Sequence, residues 1–224
     1  MPPEIEHITP IYRLGRFLCI WFSILVFRVR TFGRHHVPRT GGVLILSNHQ
    51  SFIDPPLVGC GLPRACHFMA RDTLFRNPLF GRIISAVNSF PVQRGSADIG
   101  AIKEALRRLK KGRILVMFPE GTRTPDGHIG ALLPGLAAIA QKARVPIVPA
   151  LVDGVYQAWP RHQLLPSIGN VVVLYDRPIE PDEYKNLSAE QLTTMIRRRM
   201  VALQEHLYQR QPARKPSWHN GAKL

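Results

Sequence analysis

Residues 42–55 read GVLILSNHQSFIDP, and this stretch predicts both the fold and the position of a functional site. A glycine is followed by four consecutive apolar residues, Val43 to Leu46, which is typical of a strand buried on both faces. Polar residues follow this run directly. Loops at strand ends in α/β sheets are open and often hold functional groups. We therefore expect candidate functional residues between positions 47 and 54.

The same alternation of strand-like and helical stretches continues along the chain. Gly112 follows one helical stretch at the place where a C-cap glycine is common, and Ser188 with Gln191 forms a capping box before the last one. Strands that alternate with helices predict a single α/β domain, with a mostly buried mixed sheet flanked by helices. The predicted strands are residues 43–46, 65–70, 89–92, 114–118, 147–152 and 171–175, and the predicted helices include 99–109, 136–143 and the stretch after 188.

The most apolar window is residues 11–32, with an uninterrupted core at 17–27. That core is shorter than the ~20 apolar residues of a membrane-spanning helix. Two arginines follow it directly, so the small-residue cleavage site of a signal peptide is missing. We predict an N-terminal apolar helix that docks on a membrane, and a buried helix of a soluble fold is the alternative. The arginines that would face lipid headgroups are Arg13, Arg16, Arg28 and Arg30.

The charge of the chain predicts an anionic partner. Thirty basic residues against fifteen acidic ones give a formal charge of +15 over 224 residues. Nucleic acid, an anionic membrane surface and a phosphorylated substrate all fit, and an arginine-rich composition without a specific role is the alternative. Positive charge is densest at the two ends. We divide the chain into an N-terminal membrane-associated helical segment (1–39), an α/β domain (40–209) and a basic flexible tail (210–224).

Composition disfavours several classes of protein. The three cysteines, Cys19, Cys60 and Cys66, form no C-x-x-C pair, which excludes a disulfide framework or a structural zinc site as the basis of the fold. No other spacing typical of metal ligands is present, so we expect no metal. The N-terminal aromatic residues cluster in the apolar run instead of alternating with arginines. This disfavours a basic nucleic-acid-binding module, which stays a remote alternative.

His49 and Asp54 are the first candidate catalytic residues. They stand five residues apart across a tight turn, so the carboxylate can accept a hydrogen bond from Nδ1 and leave Nε2 free as a base. Such a pair suits a reaction in which a hydroxyl group of the substrate, and not of the protein, is the nucleophile. Ser51 is the alternative nucleophile, although no G-x-S-x-G elbow surrounds it. A structural histidine beside a helix-capping aspartate is the remaining alternative.

A second polar loop, residues 118–123 (FPEGTR), follows the predicted strand 114–118. Its glycine permits close backbone approach, Thr122 offers a hydroxyl, and Arg123 offers a planar fork for phosphate. The predicted strand 89–92 also leads to an arginine, Arg94. A histidine base beside two arginines would form a site that can bind and activate a phosphorylated substrate.

Together these motifs resemble the glycerolipid acyltransferase family, whose best-known members are 1-acyl-sn-glycerol-3-phosphate acyltransferases. The resemblance rests on N-H-x-x-x-x-D at residues 48–54 and FPEGTR at 118–123. Two further blocks, 90–94 and 145–149, are similar to family segments and come in the family's order. The four blocks cover roughly residues 40–155, which is most of the predicted α/β domain.

The resemblance implies an O-acyltransferase that needs no metal and no bound cofactor. An acyl group would pass from acyl-CoA or acyl-carrier protein to the free hydroxyl of 1-acyl-glycerol 3-phosphate and form phosphatidate, without a covalent acyl-enzyme. His49 would be the general base and Asp54 would hold its imidazole. The enzyme would use a membrane lipid at an anionic membrane surface, on the cytoplasmic face of the cell membrane. The residues implied in acceptor binding are Arg94, Glu120, Gly121, Thr122 and Arg123.

Two positions depart from the family's pattern. Residues 132–135 read LLPG where family members often have Phe-Lys-x-Gly, so Leu133 replaces the usual lysine. Gln93 stands where an acidic residue is common. These departures leave another lysolipid or glycerol 3-phosphate open as the acceptor. A non-catalytic lipid carrier is a further alternative, although such a protein would not need His49 and Asp54 together.

Overall fold

The computed structural model describes residues 8–93 and 98–216, apart from the side chains of Leu136 and Ala137. Within these ranges seven strands form one sheet, in the spatial order 1-7-6-2-5-3-4. The predicted α/β domain with a mixed sheet is thus confirmed. The strands are β1 (Arg30–Phe32), β2 (Val43–Ser47), β3 (Cys66–Arg71), β4 (Ser89–Val92), β5 (Ile114–Met117), β6 (Ile147–Asp153) and β7 (Val172–Tyr175).

Helices connect the strands and cover both faces of the sheet. Short 3-10 turns at Arg34–His36, Asp72–Phe75 and Pro212–Arg214 add to them. The helices are α1 (Pro10–Phe27), α2 (Asp54–Cys60), α3 (Pro78–Ala86), α4 (Ile99–Lys110), α5 (Pro134–Ala143), α6 (Val155–Ala158), α7 (Pro181–Tyr184) and α8 (Ala189–Arg210).

The direction of the strands brings the polar loops together. β6, β2, β5, β3 and β4 run parallel to one another, whereas β7 is antiparallel to β6 and β1 is parallel to β7. The C-terminal ends of the five parallel strands therefore lie at one edge of the sheet, which we call the carboxyl edge. Because β2 pairs directly with β5, the loops that follow these two strands are neighbours.

The core has two halves, one on each face of the sheet. Alternate side chains of β2 and β5 point to opposite faces, and all are almost completely buried. Leu44, Leu46, Leu115 and Met117 pack on the face that carries α4, α5 and α8. Val43, Ile45, Ile114 and Val116 pack on the face that carries α2 and the buried side of α1.

Most strand boundaries agree with the sequence prediction to within one residue, and the strand at 89–92 agrees fully. β1 was not predicted. It is a three-residue edge strand that begins with an arginine and pairs with β7. Since β1 belongs to the sheet, the α/β domain begins before residue 40, where we had placed its boundary.

Helix α1 has one buried side and one exposed side. Tyr12, Ser23 and Phe27 are buried, and the Arg16 guanidinium donates to the backbone carbonyls of Cys60 and Leu62 at the end of α2. By length and composition α1 could cross a membrane, with 18 residues of mean hydropathy 1.4. One side of α1 packs on α2. The exposed side presents Ile11, Leu14, Phe17, Leu18, Trp21, Phe22, Ile24 and Leu25.

The C-terminal segment is more ordered than the flexible tail that we predicted from residue 210. A 3-10 turn follows α8, and the Arg214 guanidinium donates to the Asp153 carboxylate at 2.9 Å and to the Asn170 carbonyl at 2.7 Å. The buried carboxylate at the end of β6 gains a charged partner in this way, which fixes the turn. The rest of the predicted tail, residues 217–224, lies outside the described residues.

Candidate active site

The loop between β2 and α2 brings His49 and Asp54 together. Asp54 is the first residue of α2 and is fully buried. Its Oδ2 atom lies 2.7 Å from His49 Nδ1, and it also accepts hydrogen bonds from the backbone amides of Gln50 (2.6 Å) and Ser51 (2.7 Å). Because Oδ2 accepts from both backbone amides, it acts as an acceptor toward the imidazole as well. The proton on His49 is therefore held at Nδ1, and Nε2 is left as the free nitrogen.

A stacking contact also holds the imidazole ring of His49 in its orientation. The Phe118 ring stacks on it, with ring centroids 4.3 Å apart and an angle of 25° between the planes. The side chain of His49 keeps 11 % of its surface exposed. No hydrogen bond to Nε2 occurs within the described ranges. The free nitrogen is thus positioned and accessible, as a general base must be.

Glu120 joins the two loops at the carboxyl edge. Its Oε1 accepts from the backbone amide of His49 at 2.9 Å, and its Oε2 accepts from the amide of Gly130 at 3.1 Å. Burial raises the pKa of this carboxyl, and the two amide hydrogen bonds partly oppose that effect. The family resemblance implied that Glu120 binds the acceptor, whereas its observed hydrogen bonds are to the backbone amides of the two loops. A second link between the loops runs from the Thr124 amide to the His49 carbonyl, at 2.7 Å.

Two further side chains position the His49 loop, and the sequence prediction gave neither of them a role of its own. Asn48 is buried and bridges to β6, since its amide donates to the Val152 carbonyl at 2.9 Å and its Oδ1 accepts from the Val152 amide at 2.7 Å. Gln50 Oε1 accepts from the amides of Val155 and Tyr156 at 3.2 and 3.1 Å. The sequence signal for these two roles was the run of polar residues directly after a buried apolar strand. Buried polar groups need hydrogen-bond partners, so such residues are expected to bind neighbouring backbone.

Thr122 and Arg123 lie in the open part of the site. Thr122 is exposed and Arg123 is half-buried, and Arg123 forms no hydrogen bond or ion pair with any other described residue. Gly121 has φ +68°, a conformation that favours glycine, and Leu133 lies directly over it, because a Cβ on Gly121 would be 2.7 Å from Leu133 Cδ1. Glu120 and Thr122 line an open cavity of about 270 Å³.

Arg94, the second predicted phosphate ligand, lies outside the described residues. The residue before it, Gln93, is described, and its amide donates to the Asp98 carboxylate at 2.9 Å. β4 ends beside β3 at the carboxyl edge, the same edge at which the His49 loop lies.

The geometry disfavours Ser51 as a nucleophile. Ser51 is fully buried, and its Oγ has no hydrogen-bond partner among the described residues. A serine nucleophile needs a hydrogen bond to its base and access to the substrate. His49 instead directs Nδ1 toward Asp54 and does not contact the serine hydroxyl. Nor do residues 8–93 and 98–216 contain a group of three or more His, Cys, Asp or Glu side chains that could hold a metal ion.

Residues 28–153 match the sequence model of the acyltransferase family, and this region contains His49, Asp54 and the FPEGTR loop. The chain belongs to the acyltransferase family. The match covers more than half of the chain and confirms the family resemblance of the two motifs. As a member of this family the chain is an O-acyltransferase by class, and its family chemistry belongs to phospholipid biosynthesis.

Relatives of this acyltransferase come from bacteria and plants. The chain is 30 % identical over 183 residues to the 1-acyl-sn-glycerol-3-phosphate acyltransferase of Bacillus subtilis, a match that covers 81 % of this chain and 85 % of the relative. It is 31 % identical over 156 residues to the enzyme of the same name from Cocos nucifera, covering 68 % of this chain and 51 % of the relative. The chain thus spans about half the length of that plant relative.

A solved structure supports the fold of the acyltransferase. The crystal structure of the 1-acyl-sn-glycerophosphate acyltransferase from Thermotoga maritima superposes with a TM-score of 0.74 at 27 % sequence identity. The superposition covers 88 % of this chain and 78 % of that chain. The similarity therefore includes nearly the whole described domain and not only its catalytic motifs.

Proposed function

We propose that this acyltransferase moves an acyl group from a thioester to the free hydroxyl of 1-acyl-glycerol 3-phosphate and forms phosphatidate. The observation that carries the proposal is the 2.7 Å contact between His49 Nδ1 and Asp54, which leaves Nε2 free at the carboxyl edge beside the FPEGTR loop. The names of the bacterial and plant relatives agree with this substrate.

The reaction needs one base and two substrates. His49 Nε2 removes the proton from the acceptor hydroxyl, and the resulting alkoxide oxygen attacks the thioester carbonyl. The tetrahedral intermediate collapses with cleavage of the carbon–sulfur bond, and the imidazolium returns its proton to the leaving thiolate. Asp54 stabilises the imidazolium through the Nδ1 hydrogen bond. The products are an ester and a free thiol, and the enzyme ends in its starting protonation state.

Arg123 is the proposed phosphate ligand among the described residues. Its guanidinium has no partner within the described part of the chain, and it follows directly on the loop that contacts the His49 backbone. Arginine binds phosphate through two parallel charge-assisted hydrogen bonds. Gly121 and Thr122 complete the loop, and Arg94 is proposed as a second ligand on the basis of sequence alone. Glu120 is proposed to position the two loops, through its contacts with the amides of His49 and Gly130.

The acceptor has a long acyl chain and resides in a bilayer, so the enzyme is proposed to work at a membrane surface. The exposed side of α1 fits this role, because eight large apolar side chains face outward while the opposite side packs on α2. Such burial of an apolar helix face in the lipid interface is typical of docked enzymes. We propose the cytoplasmic face of the cell membrane, with its anionic lipids, as the location.

The donor is proposed to be acyl-CoA or acyl-carrier protein, and the positive charge of the chain suits either anionic donor. One panel of assays tests the whole proposal. Purified enzyme is given labelled acyl-CoA or acyl-carrier protein together with lysophosphatidate, another lysophospholipid or glycerol 3-phosphate, and both ester formation and free thiol are measured. We expect the two products in equal amounts and the highest kcat/KM for lysophosphatidate. A higher kcat/KM for another acceptor would overturn the substrate assignment.

A further inference from the structure

A second exposed apolar surface lies on α3 and the 3-10 turn before it. Four large apolar side chains of this segment are solvent-exposed: Leu74 (44 %), Leu79 (70 %), Phe80 (45 %) and Ile83 (53 %). Monomeric soluble proteins seldom expose several such side chains on one short segment. We call Arg71, Arg76, Arg82 and these four apolar residues the α3 surface.

Local packing explains why the apolar side chains of α3 point outward. Asn77 caps the helix, since its side chain accepts from the amides of Leu79 and Phe80 at 3.1 and 3.0 Å. Gly81 is the buried residue of the helix, and a Cβ there would lie 3.0 Å from the Phe75 carbonyl. Because Gly81 has no side chain, the backbone of α3 lies directly against the backbone of the 3-10 turn. Its large side chains are left on the opposite, outer side.

The charges around these side chains are mostly positive. Arg71, Arg76 and Arg82 are exposed, and none forms a hydrogen bond or ion pair with another described residue. Asp72, at the start of the 3-10 turn, is the acidic residue of the segment. Apolar side chains interleaved with unpaired arginines are typical of segments that lie in the headgroup region of anionic membranes.

The α3 surface lies on the same face of the sheet as α1. The connections β2–α2–β3 and β3–α3–β4 cross the sheet in the same direction, so the right-handed rule puts α2 and α3 on the same face. α1 packs on this face too, and a Cβ on its Gly15 would lie 3.5 Å from the side chain of Val87, just after α3. The 3-10 turn with Leu74 follows the end of β3, at the carboxyl edge.

We propose that the α3 surface is a second contact with an anionic lipid bilayer, beside α1. The inference rests on the proposed use of a bilayer-embedded acceptor. It adds the position at which the α/β domain touches the membrane. A single docked helix leaves the domain free to rotate about the helix axis. Two contacts on one face remove that freedom, and the one at Leu74 holds the carboxyl edge near the lipid headgroups.

Binding to vesicles tests the apolar part of the proposal. The full chain with Leu79→Gln and Ile83→Gln is compared with the wild type by co-sedimentation with vesicles of phosphatidylcholine and phosphatidylglycerol. The matched control is Leu79→Met with Ile83→Leu, which keeps both positions apolar and helical. We expect the glutamine pair to lower the partition coefficient by about 10-fold or more, and the control to retain it. Equal partitioning of all three proteins would overturn the proposal.

A second pair of variants tests the charges. Arg76→Gln with Arg82→Gln is compared with Arg198→Gln and Arg210→Gln, which remove two exposed, unpaired arginines from α8 on the other face. We expect the first pair to weaken binding to anionic vesicles roughly 10-fold more than the second, since each cation near the surface contributes ~1 kcal/mol. An equal loss would show that binding follows net charge alone, and would overturn the docking surface.

Two more measurements separate this inference from its alternatives. If the glutamine pair leaves vesicle binding unchanged but converts a dimer into a monomer in sedimentation, the α3 surface is an interface between copies and the proposal is wrong. Activity on a short-chain, water-soluble acceptor should stay unchanged in the glutamine pair, while activity on the bilayer-embedded acceptor falls. If the wild type acylates neither acceptor, the proposed function fails, and the vesicle measurement still decides the docking surface.

Discussion

The two loops that meet at the carboxyl edge are built differently. In the loop after β2, three donors converge on Asp54 Oδ2, and the side chains of Asn48 and Gln50 are buried and hydrogen-bonded to other strands and turns. In the loop after β5, Thr122 is exposed and Arg123 is half-buried, and neither side chain has a hydrogen-bond partner among the described residues. The part assigned to the chemistry is preorganised, and the part assigned to recognition is left open for a substrate.

Substitutions in the first loop should therefore reduce turnover, and substitutions in the second should reduce affinity for the acceptor. Glu120 belongs to both loops, because it lies in the second and holds the backbone of the first. The measurements below test this contrast in order of decreasing effect.

His49→Ala should give the largest loss, a decrease in kcat of about 10²–10⁴-fold, because the proposed base is removed while the acceptor loop stays intact. Steady-state kinetics with saturating donor and acceptor measures it, and thermal unfolding checks the fold. Ser51→Ala is the matched control in the same loop. Since Ser51 Oγ is buried and unbonded, this control should keep near-normal turnover. Near-normal turnover of folded His49→Ala would rule out the base mechanism.

Asp54→Asn should lower kcat by roughly 10²–10³-fold with little change in the KM of either substrate. A neutral amide oxygen is a weaker acceptor than the charged carboxylate oxygen that now accepts all three hydrogen bonds, so it holds the Nδ1 proton less firmly and does not stabilise the imidazolium by its charge. The histidine is then free to adopt the other tautomer. A large rise in acceptor KM with unchanged kcat would place Asp54 in binding instead.

Glu120→Gln should lower the free energy of unfolding by about 1–3 kcal/mol and reduce kcat, because its amide nitrogen would face one of the two backbone N–H donors. Burial raises the pKa of Glu120 in the folded state, so its contribution to stability is fullest below the unfolded pKa and declines as pH rises through the folded value. Urea unfolding should therefore show a larger difference from wild type in mild acid than in mild alkali. The opposite trend would contradict the direction of the shift.

Arg123→Ala should raise the KM of the phosphorylated acceptor by roughly 10–100-fold and leave the donor KM nearly unchanged, since charge-assisted hydrogen bonds contribute ~1.5–3 kcal/mol. Arg198→Ala, which removes an exposed and unpaired arginine of α8, controls for net charge. If donor affinity falls while acceptor affinity stays, Arg123 serves the donor, and the second loop has a different role from the one proposed.

Leu133→Lys should have the smallest effect. The side chain lies over Gly121, so a lysine would place an ammonium group beside the open loop. Exposed charge pairs contribute ~0.2–1 kcal/mol, which corresponds to a decrease in the lysophosphatidate KM of roughly 1.5- to 5-fold. Leu133→Met is the neutral control. A rise in this KM together with better use of an uncharged acceptor would indicate that the natural acceptor is not lysophosphatidate.

The sequence predicted those parts of the structure that depend on neighbouring residues. β4 was predicted from a short strand-like run, and the pairing of His49 with Asp54 was predicted from a spacing of five residues. The partner of Asn48 could not be predicted, because Val152 lies 104 residues away. α3 was missed for another reason: its outer side is apolar and its buried residue is a glycine, which is the reverse of the usual amphipathic pattern.

The hydrogen bonds between Asn48 and Val152 also set an order of events during synthesis of the chain. Ribosomes add ~5–20 residues per second, so roughly 5–20 s separate the appearance of the His49 loop from that of the β6 residue that fixes it. Both α1 and α2 are synthesised well before β6. A nascent chain is therefore expected to expose its apolar helix to a membrane first, and to become an active enzyme only when β6 has joined the sheet beside β2.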